Sequence, residues 1–179
     1  MNAATIVRNG AIGAVSGLAA SFIMSEFQSG WSAVRKKLQP QDQGSSDGGE
    51  EPSTEKAADR MAQATSGRPV AGQDKGAAGQ AVHYGFGTLL GAIYGTASTA
   101  APAIRAGFGM PFGAAVWAGG DETLLPATGL AKRPDETPLS THAYALISHL
   151  VFGASLEGGR RLLDRGVGAL ADGSRGRRR

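Results

Sequence analysis

The side chains most suited to chemistry lie in a largely apolar part of the chain. The stretch THAYALISHLVFGASLEGGRR, residues 141–161, carries two of the three histidines, His142 and His149, together with Glu157. The two histidines are seven residues apart, and Glu157 is eight residues beyond His149. On a helix these spacings place the three side chains within one broad stripe. Such a stripe predicts a buried polar face rather than a random scatter of charges.

Asp121 and Glu122 follow a second apolar segment, and His83 opens the central part of a third. An ionisable residue within a membrane is costly and faces the bundle interior or a water cavity, so these groups are candidates for a proton relay or ion site. Histidine changes charge near neutral pH, which suits a response to acidification. The interpretation that we favour is a structural role for these groups. Carboxylates at segment ends reach headgroup water, and a histidine in a glycine row donates one interhelical hydrogen bond. A metal site is a third and weaker interpretation.

The sequence contains no motif that is specific to an enzyme class. It has no HExxH pair, no glycine-rich phosphate loop and no nucleophile elbow. The absence of cysteine excludes disulfides and thiolate metal sites. We therefore predict a protein that is not an enzyme and that uses no cofactor.

Charge is distributed unevenly along the chain. Charged residues make up 18% of the sequence and are concentrated in residues 35–75, in residues 132–136 and in the C-terminal tail. A helix needs about 20 residues to cross a hydrocarbon core about 30 Å thick. Four windows come near or reach that length, the third only if it includes Asp121 and Glu122: 9–25, 76–104, 106–120 and 137–156. This pattern predicts an all-α, multi-pass transmembrane bundle of about four spans.

Small residues recur at every fourth position within the windows, which favours helices over strands. In lipid, close backbone approach through such rows holds helices together, so the rows predict glycine-zipper packing; for a single window, chance is the alternative. Gly153 lies one turn from both His149 and Glu157, and we expect it to pack against the row of the second window. The predicted packing glycines are Gly13, Gly17, Gly87, Gly91, Gly95, Gly109, Gly113 and Gly153.

The windows divide the chain into four parts. Residues 1–34 form the first transmembrane helix and its interfacial end, 35–78 a flexible polar loop, 79–160 a bundle of three spans, and 161–179 a basic cytoplasmic tail. The loop is predicted to be flexible because a segment rich in Pro, Gly, Ser and charge buries too little apolar surface to become ordered. The alternatives are a secretory signal at the N-terminus and a soluble helical domain rich in Ala and Gly.

The C-terminal tail is basic, with seven arginines from residue 160 onward. The positive-inside rule predicts a cytoplasmic C-terminus that contacts anionic headgroups. Nucleic-acid binding is disfavoured because neither interleaved aromatic residues nor a folded module accompanies the arginines. Four spans would place Arg35, Lys36 and Lys37 on the opposite side, against the rule, and a re-entrant segment 106–125 would remove this conflict. We retain four spans because long loops cross membranes largely regardless of charge.

The order of segments in the second half resembles a known family. HYGFGTLLGAIYG (83–95) is followed by a span that ends in WAGGDETLLPATGL (117–130), a short Pro-containing loop and HAYALISHLVFGASLEGGRR (142–161). This order is similar to that of the YagU-like family of small bacterial inner-membrane proteins of unknown function. The resemblance covers residues 80–165 and the opening helix, and the long polar loop after residue 38 departs from it. It implies an inner-membrane location and a role in stress, including acid tolerance.

These observations predict a small integral inner-membrane protein with a structural or stress role and no catalytic activity. Its expected partner is the lipid bilayer, with a homo-oligomer or a membrane-protein partner left open and no nucleic acid. The alternative is a proton- or ion-conducting bundle that uses the histidines and carboxylates. A membrane-embedded metal-dependent hydrolase is a distant third.

Overall fold

A computed structural model describes residues 2–38 and 51–176. Within these ranges every regular element is helical, which confirms the predicted all-α fold. The α-helices are α1 (Ala3–Leu38), α2 (Ser53–Ser66), α3 (Lys75–Ala100), α4 (Met110–Gly119), the single turn α5 (Leu125–Ala127) and α6 (Leu139–Gly176). Between α4 and α5 lies a π-helical turn, Gly120–Leu124, and the connections include 3₁₀ turns at Gly72–Asp74, Pro102–Gly109 and Pro134–Glu136.

Proline and glycine set several helix ends. α2 follows Pro52 and ends at Gly67, whose left-handed φ of 71° lets its N–H donate to the carbonyl of Gln63. α3 ends shortly before Pro102, and α6 begins directly after Pro138. Because proline lacks an N–H and restricts the residue before it, such positions favour the boundaries of helices.

Four helical segments, α1, α3, α4 with α5, and α6, pack side by side in alternating directions. At one end, which we call the tail end, Arg8 of α1 pairs with Asp164 of α6 at 2.6 Å. At the other, which we call the cap end, the rings of Trp31 and Tyr144 lie 6.1 Å apart. These pairs show that α1 and α6 are antiparallel. The start of α1 and the last turns of α6 therefore lie at the tail end, and α2 and residues 125–138 at the cap end.

Glycines allow close contact between α1 and α3. A Cβ added at Gly13 would clash with the carbonyl oxygen of Gly91, and one added at Gly17 would clash with that of Gly87. The Cα of Gly91 lies only 2.9 Å from the position that a Cβ at Gly17 would take. Only glycine fits this spacing, because any side chain would meet backbone that cannot rotate away.

A second glycine contact joins α4 to α6, and it corrects the expected partner of Gly153. A Cβ at Gly153 would clash with the carbonyl oxygen of Gly109 and would lie 3.0 Å from the nitrogen of Gly113. Gly153 therefore packs against α4, whereas the glycine row of α3 is occupied by α1. The bundle is held by two separate glycine contacts rather than by one shared contact.

The boundaries of several elements differ from the sequence prediction. α1 continues to Leu38, beyond the predicted interfacial end, and α6 continues through the predicted tail to Gly176. The third window does not begin as a helix at residue 106, because Gly107 and Phe108 adopt left-handed φ values of 59° and 57°. Its helix instead begins at Met110, and the helical path continues through Asp121 and Glu122.

The predicted flexible loop, residues 35–78, also differs: it contains α2 and the first turn of α3, while residues 39–50 lie outside the described part of the chain. Polar contacts account for this order. Arg60 of α2 donates to the carbonyl of Thr128 at 2.5 Å, and the Lys75 ammonium pairs with Glu51 at 2.5 Å and Asp59 at 2.7 Å. Because composition measures apolar content, it does not register this kind of ordering.

The exterior of the bundle is more apolar than much of its interior. A small apolar cluster is buried, Ala20, Met24, Tyr94, Phe152 and Leu156, beside the buried polar residues Ser16, Ser21, Ser98, Ser148 and Glu157. Large apolar side chains are exposed along α1 and α3, among them Val15, Leu18, Phe22, Ile23, Leu89 and Ile93. Among the described helices, Ala3–Leu38 is the one that is long and apolar enough to cross a membrane. By itself this is weak evidence for membrane association.

Candidate functional site

A cavity of about 780 Å³ opens among the four helical segments at the cap end, beneath α2. This volume is typical of sites for small molecules. Its walls are largely apolar, formed by side chains that include Met24, Phe86, Leu90, Val116, Leu125 and Phe152. The ionisable residues that line it come from every surrounding segment except α1: Glu51, Lys56, His83, Asp121, Glu122, Lys132, Glu136, His142 and His149.

Five of the six polar residues singled out from the sequence line this one cavity: His83, Asp121, Glu122, His142 and His149. They include all three histidines of the chain. The sixth, Glu157, is buried elsewhere, toward the tail end. The structure therefore divides the stripe predicted for residues 142–157 into two separate sites.

The π-helical turn Gly120–Leu124 positions the two carboxylates. Within it the N–H of Leu125 donates to the carbonyl five residues earlier, and the hydroxyl of Thr123 likewise donates to the carbonyl of Ala118 at 2.8 Å. The wider turn changes the direction of the side chains relative to a regular α-helix, and such turns occur frequently at functional sites. As a result, the adjacent residues Asp121 and Glu122 face two different histidines.

Glu122 and His142 form a closely bonded pair. The Nδ1 of His142 lies 2.6 Å from Oε1 of Glu122, and its Nε2 lies 3.1 Å from the carbonyl oxygen of Pro134. Since a carbonyl can only accept, Nε2 must carry a hydrogen, and the short contact at Nδ1 needs a hydrogen of its own. The pair therefore holds one proton more than a neutral imidazole beside an ionised carboxylate.

Asp121 and His149 are arranged differently. The Nδ1 of His149 lies 2.9 Å from the carbonyl oxygen of Ala145, so this nitrogen donates to the backbone. Its distance to Oδ2 of Asp121 is 3.6 Å, which is too long for a hydrogen bond. Among the described residues, the Asp121 carboxylate accepts no hydrogen bond, although its side chain is only 33% exposed.

His83 and Ser21 form the wall of the cavity where α1 meets α3. The Nε2 of His83 lies 3.4 Å from the carbonyl oxygen of Ser21. Ser21 is 1% exposed, and its hydroxyl has no hydrogen-bond partner within the described chain. This hydroxyl occupies the space that a Cβ at Gly87 would take. The unused hydroxyl therefore lies in the contact between α1 and α3 rather than in the open cavity.

α2 covers the cavity and is anchored on both sides, by Arg60 to the loop after α5 and by Lys75 to Glu51 and Asp59. The hydrogen bond from Lys75 lowers the pKa of the Asp59 carboxyl. Reciprocally, the hydrogen bonds to Asp59 and then to Glu51 raise the pKa of the Lys75 ammonium. The anchor is therefore weakened as the pH falls far enough to protonate Asp59, and it is present at neutral pH.

Glu157, whose side chain is fully buried, belongs to a separate network. Its carboxylate accepts a hydrogen bond from the hydroxyl of Tyr94 at 2.9 Å, from Arg160 at 2.7 Å and 3.0 Å, and from Arg161 at 2.6 Å. The Arg161 guanidinium also lies over the ring of Phe108, 4.7 Å from its centroid. Because every acceptor position is engaged, this network is suited to joining helices rather than to binding a ligand.

Apolar side chains lie between the cavity and the Glu157 network. Phe152 lines the cavity, and Leu156 lies one turn later on the same helix, next to Glu157. Both are buried together with Met24 and Tyr94. This cluster closes the inner end of the cavity, so the cavity opens at the cap end and is blocked toward the tail end.

The arrangement of the histidines and carboxylates is not that of a metal centre. Among the described residues, no three His, Asp or Glu side chains converge closely enough to hold a metal ion. The observed pairs can instead exchange protons or accept hydrogen bonds from a positively charged group.

Comparison with known proteins adds a family but no function. A family model described as a protein of unknown function (DUF1440) matches residues 60–158. The matched region contains all three histidines together with Asp121, Glu122 and Glu157, and it leaves out α1. No curated protein and no solved structure matches the chain.

Proposed function

The chain belongs to the DUF1440 family of proteins of unknown function, and we propose that it is a small integral protein of a bacterial inner membrane with a non-catalytic, stress-related role. In this proposal α1, α3, α4 with α5, and α6 each cross the bilayer, and the glycine contacts between them form a glycine zipper. The resemblance to the YagU-like family over residues 80–165 supports the inner-membrane location and a role in acid tolerance.

The distribution of polar and apolar side chains supports the membrane architecture. Serines, glycines and Glu157 lie inside the bundle, while leucine, valine, isoleucine and phenylalanine side chains cover the outside of α1 and α3. Large exposed apolar surfaces are unusual on monomeric soluble proteins, whereas helices in lipid meet through small residues. At the cap end the Trp31 and Tyr144 rings match an aromatic interface belt, and at the tail end Arg161 and Arg165 can reach anionic headgroups.

Membrane insertion and sidedness can be measured directly. We expect the protein to remain with membranes after carbonate washing and to be released by detergent. A green fluorescent reporter at the C-terminus should fluoresce, because it lies in the cytoplasm, whereas alkaline phosphatase there should be inactive. The matched control is a fusion after Leu38, where the activities of the two reporters should be reversed. Recovery of the protein in the soluble fraction without detergent would remove the proposed architecture.

The observation that carries the proposed role is the collection of all three histidines, with Asp121 and Glu122, around one cavity that opens at the cap end. With both termini in the cytoplasm, the cap end faces the outer side of the inner membrane. Histidine is the side chain that changes charge between pH 5 and 8. Acidification outside would therefore add positive charge to the histidines that line the cavity beneath α2. We infer that repulsion among these charges loosens α2, and we call this response the sensing role.

A single labelled cysteine can test this response, because the chain has no native cysteine. Met61→Cys places the label on an exposed position of α2, and Leu162→Cys places it at the tail end as the control. In nanodiscs, we expect a polarity-sensitive fluorophore at position 61 to change its emission between pH 7.5 and 5.0, and one at position 162 to change little. Adding His83→Gln and His149→Gln should abolish the change at position 61. An unaltered response in that variant contradicts the proposal.

Proton or ion conduction is the second candidate, favoured by titratable groups at both ends of the bundle: the cavity histidines and Glu157. Against it, the apolar cluster around Phe152 and Leu156 closes the route between them. Proteoliposomes loaded with a pH-sensitive dye separate the two candidates. Proton flux that is lost in His149→Ala would support conduction, whereas a label response without flux supports the sensing role.

A further inference from the structure

We propose that the cavity is a binding site for a small organic cation, in which an ammonium group is held by Asp121 and an apolar portion lies against Phe86, Val116 and Phe152. This assignment concerns the same cavity as the proposed function and names the class of ligand that the cavity takes. It rests on the proposed function in that it names a ligand for the same cavity. Its own argument uses the hydrogen-bonding capacity, charge and shape of the lining.

The first argument is the unused capacity of Asp121. This carboxylate is two-thirds buried and receives no hydrogen bond from the described residues, because the Nδ1 of its neighbour His149 donates to Ala145 instead. Removing a charged group from water is unfavourable unless hydrogen bonds replace those of the solvent. An ammonium group supplies both N–H donors and an opposite charge, and charge-assisted hydrogen bonds of this kind are the strong ones.

The second argument comes from His149 on α6, which lines the same cavity. In its neutral form His149 has an acceptor at Nε2, because its Nδ1 donates to the carbonyl of Ala145. An ammonium has three N–H donors, and the two carboxylate oxygens of Asp121 together with the Nε2 of His149 could accept them.

The charge and shape of the lining select the ligand further. Among the carboxylates that line the cavity, Glu51 pairs with Lys75, Glu122 pairs with His142 and Glu136 is exposed. The negative charge at Asp121 therefore favours a cation over an anion at that position. The volume of about 780 Å³ and the largely apolar walls suit an organic molecule rather than a hydrated ion. The described histidines and carboxylates also provide no metal-binding group, so an organic ammonium fits the site better than an inorganic cation does.

Binding can be measured with phenethylammonium as the probe, by calorimetry on the full chain in phosphatidylcholine nanodiscs at pH 7.5, with empty nanodiscs subtracted. The matched neutral compound is 2-phenylethanol, and the matched anion is 3-phenylpropanoate. We expect saturable binding of the ammonium and at least about tenfold weaker binding of the other two. Equal binding of 2-phenylethanol would overturn the proposal, since it would show that the cavity recognises only the apolar group.

Two variants test the residues. Asp121→Asn should weaken binding of phenethylammonium by about tenfold or more, while Asp135→Asn, at an exposed carboxylate outside the cavity, should leave it unchanged. Phe86→Ala, which removes a ring from the apolar wall, should weaken binding by about two- to tenfold. Because Phe86 is half exposed, we expect removing its ring to have little effect on folding, so its effect on binding remains interpretable even if Asp121→Asn fails to fold. Unchanged affinity in Phe86→Ala together with unchanged affinity in a folded Asp121→Asn variant would overturn the assignment.

The outcome is separable from that of the sensing role, because binding is measured at one pH and the label response needs no added ligand. Absence of saturable ammonium binding, with the response at position 61 intact, would overturn the ligand assignment alone. Saturable binding that depends on Asp121, with no response to pH, would support the ligand assignment and contradict the sensing role.

Discussion

Leucine at Gly91 should prevent the bundle from assembling, whereas leucine at Gly85, on the same helix, should be tolerated. A Cβ at Gly91 would clash with the carbonyl oxygen of Gly13 and would lie 2.7 Å from the Cα of Gly17. Both are backbone atoms, so α1 and α3 would have to separate along their whole contact. Overpacking of this kind costs about 1–3 kcal/mol or more, and the separated helices lose further packing contacts. We expect loss of the monodisperse species in size-exclusion chromatography in mild detergent.

Gly85 is a closely matched control, because nothing lies within 4 Å of the Cβ position there. Both substitutions raise helix propensity by about the same amount, about 1 kcal/mol relative to glycine. Any difference between the two variants therefore reports the contact with α1. If Gly91→Leu behaved like Gly85→Leu in thermal unfolding and chromatography, the glycine contact would not determine the distance between the two helices.

The glycine rows show how far sequence reasoning reaches in this fold. The four-residue spacing of Gly13, Gly17, Gly87 and Gly91 correctly predicted helices, and the structure places these residues where α1 and α3 touch. The partner of Gly153 was wrong, because glycine rows have no chemical identity that distinguishes one from another. Which rows meet depends on the path of the turn between α3 and α4, including the left-handed backbone at Phe108. Pro102 and Gly107 indicate that a turn is present, but they do not specify this path.

The candidate site was predictable residue by residue but not as a site. Ionisable groups in apolar windows identified His83, Asp121 and the others. The predicted stripe failed at Glu157 because eight residues rotate a helix by about 800°, which leaves Glu157 about 80° from His149 and about 12 Å further along. At that angle it faces Tyr94 of α3. The two arginines that lie three and four residues beyond Glu157 indicate its ion pairs from the sequence. The hydrogen bond from Tyr94 could not be predicted, because Tyr94 lies 63 residues away in sequence.

α2 was missed for a different reason. Its sequence is so polar that burial of apolar side chains does not predict an ordered helix there. The contacts that hold α2 in place join residues far apart in the chain: Arg60 with the loop after α5, and Lys75 with Asp59. No local pattern encodes such pairs.

Removal of the Glu157 carboxylate should destabilise the protein far more than removal of any exposed charge. Glu157 is 0% exposed and accepts from Arg160, Arg161 and Tyr94. Glu157→Ala would leave the Arg160 guanidinium, itself only 13% exposed, without its partner. Breaking one side of a buried ion pair costs about 3–5 kcal/mol, so we expect the unfolding midpoint in detergent to fall by about 10 °C or more.

Asp164→Ala provides the comparison, because it removes a carboxylate from the same helix only two turns later. Its ion pair with Arg8 is short, 2.6 Å, but the two side chains are 46% and 42% exposed. Such pairs contribute about 0–1 kcal/mol, since water screens them and ordering two long side chains is unfavourable. The decisive quantity is therefore the difference between the two variants in one detergent. Equal, small shifts of the unfolding midpoint in both variants would mean that the arginines find other partners, for example headgroups, and that Glu157 does not join α3 to α6. A large shift in Glu157→Ala alone, with an intermediate shift in Glu157→Gln, would show that the carboxylate charge holds the tail end of the bundle together.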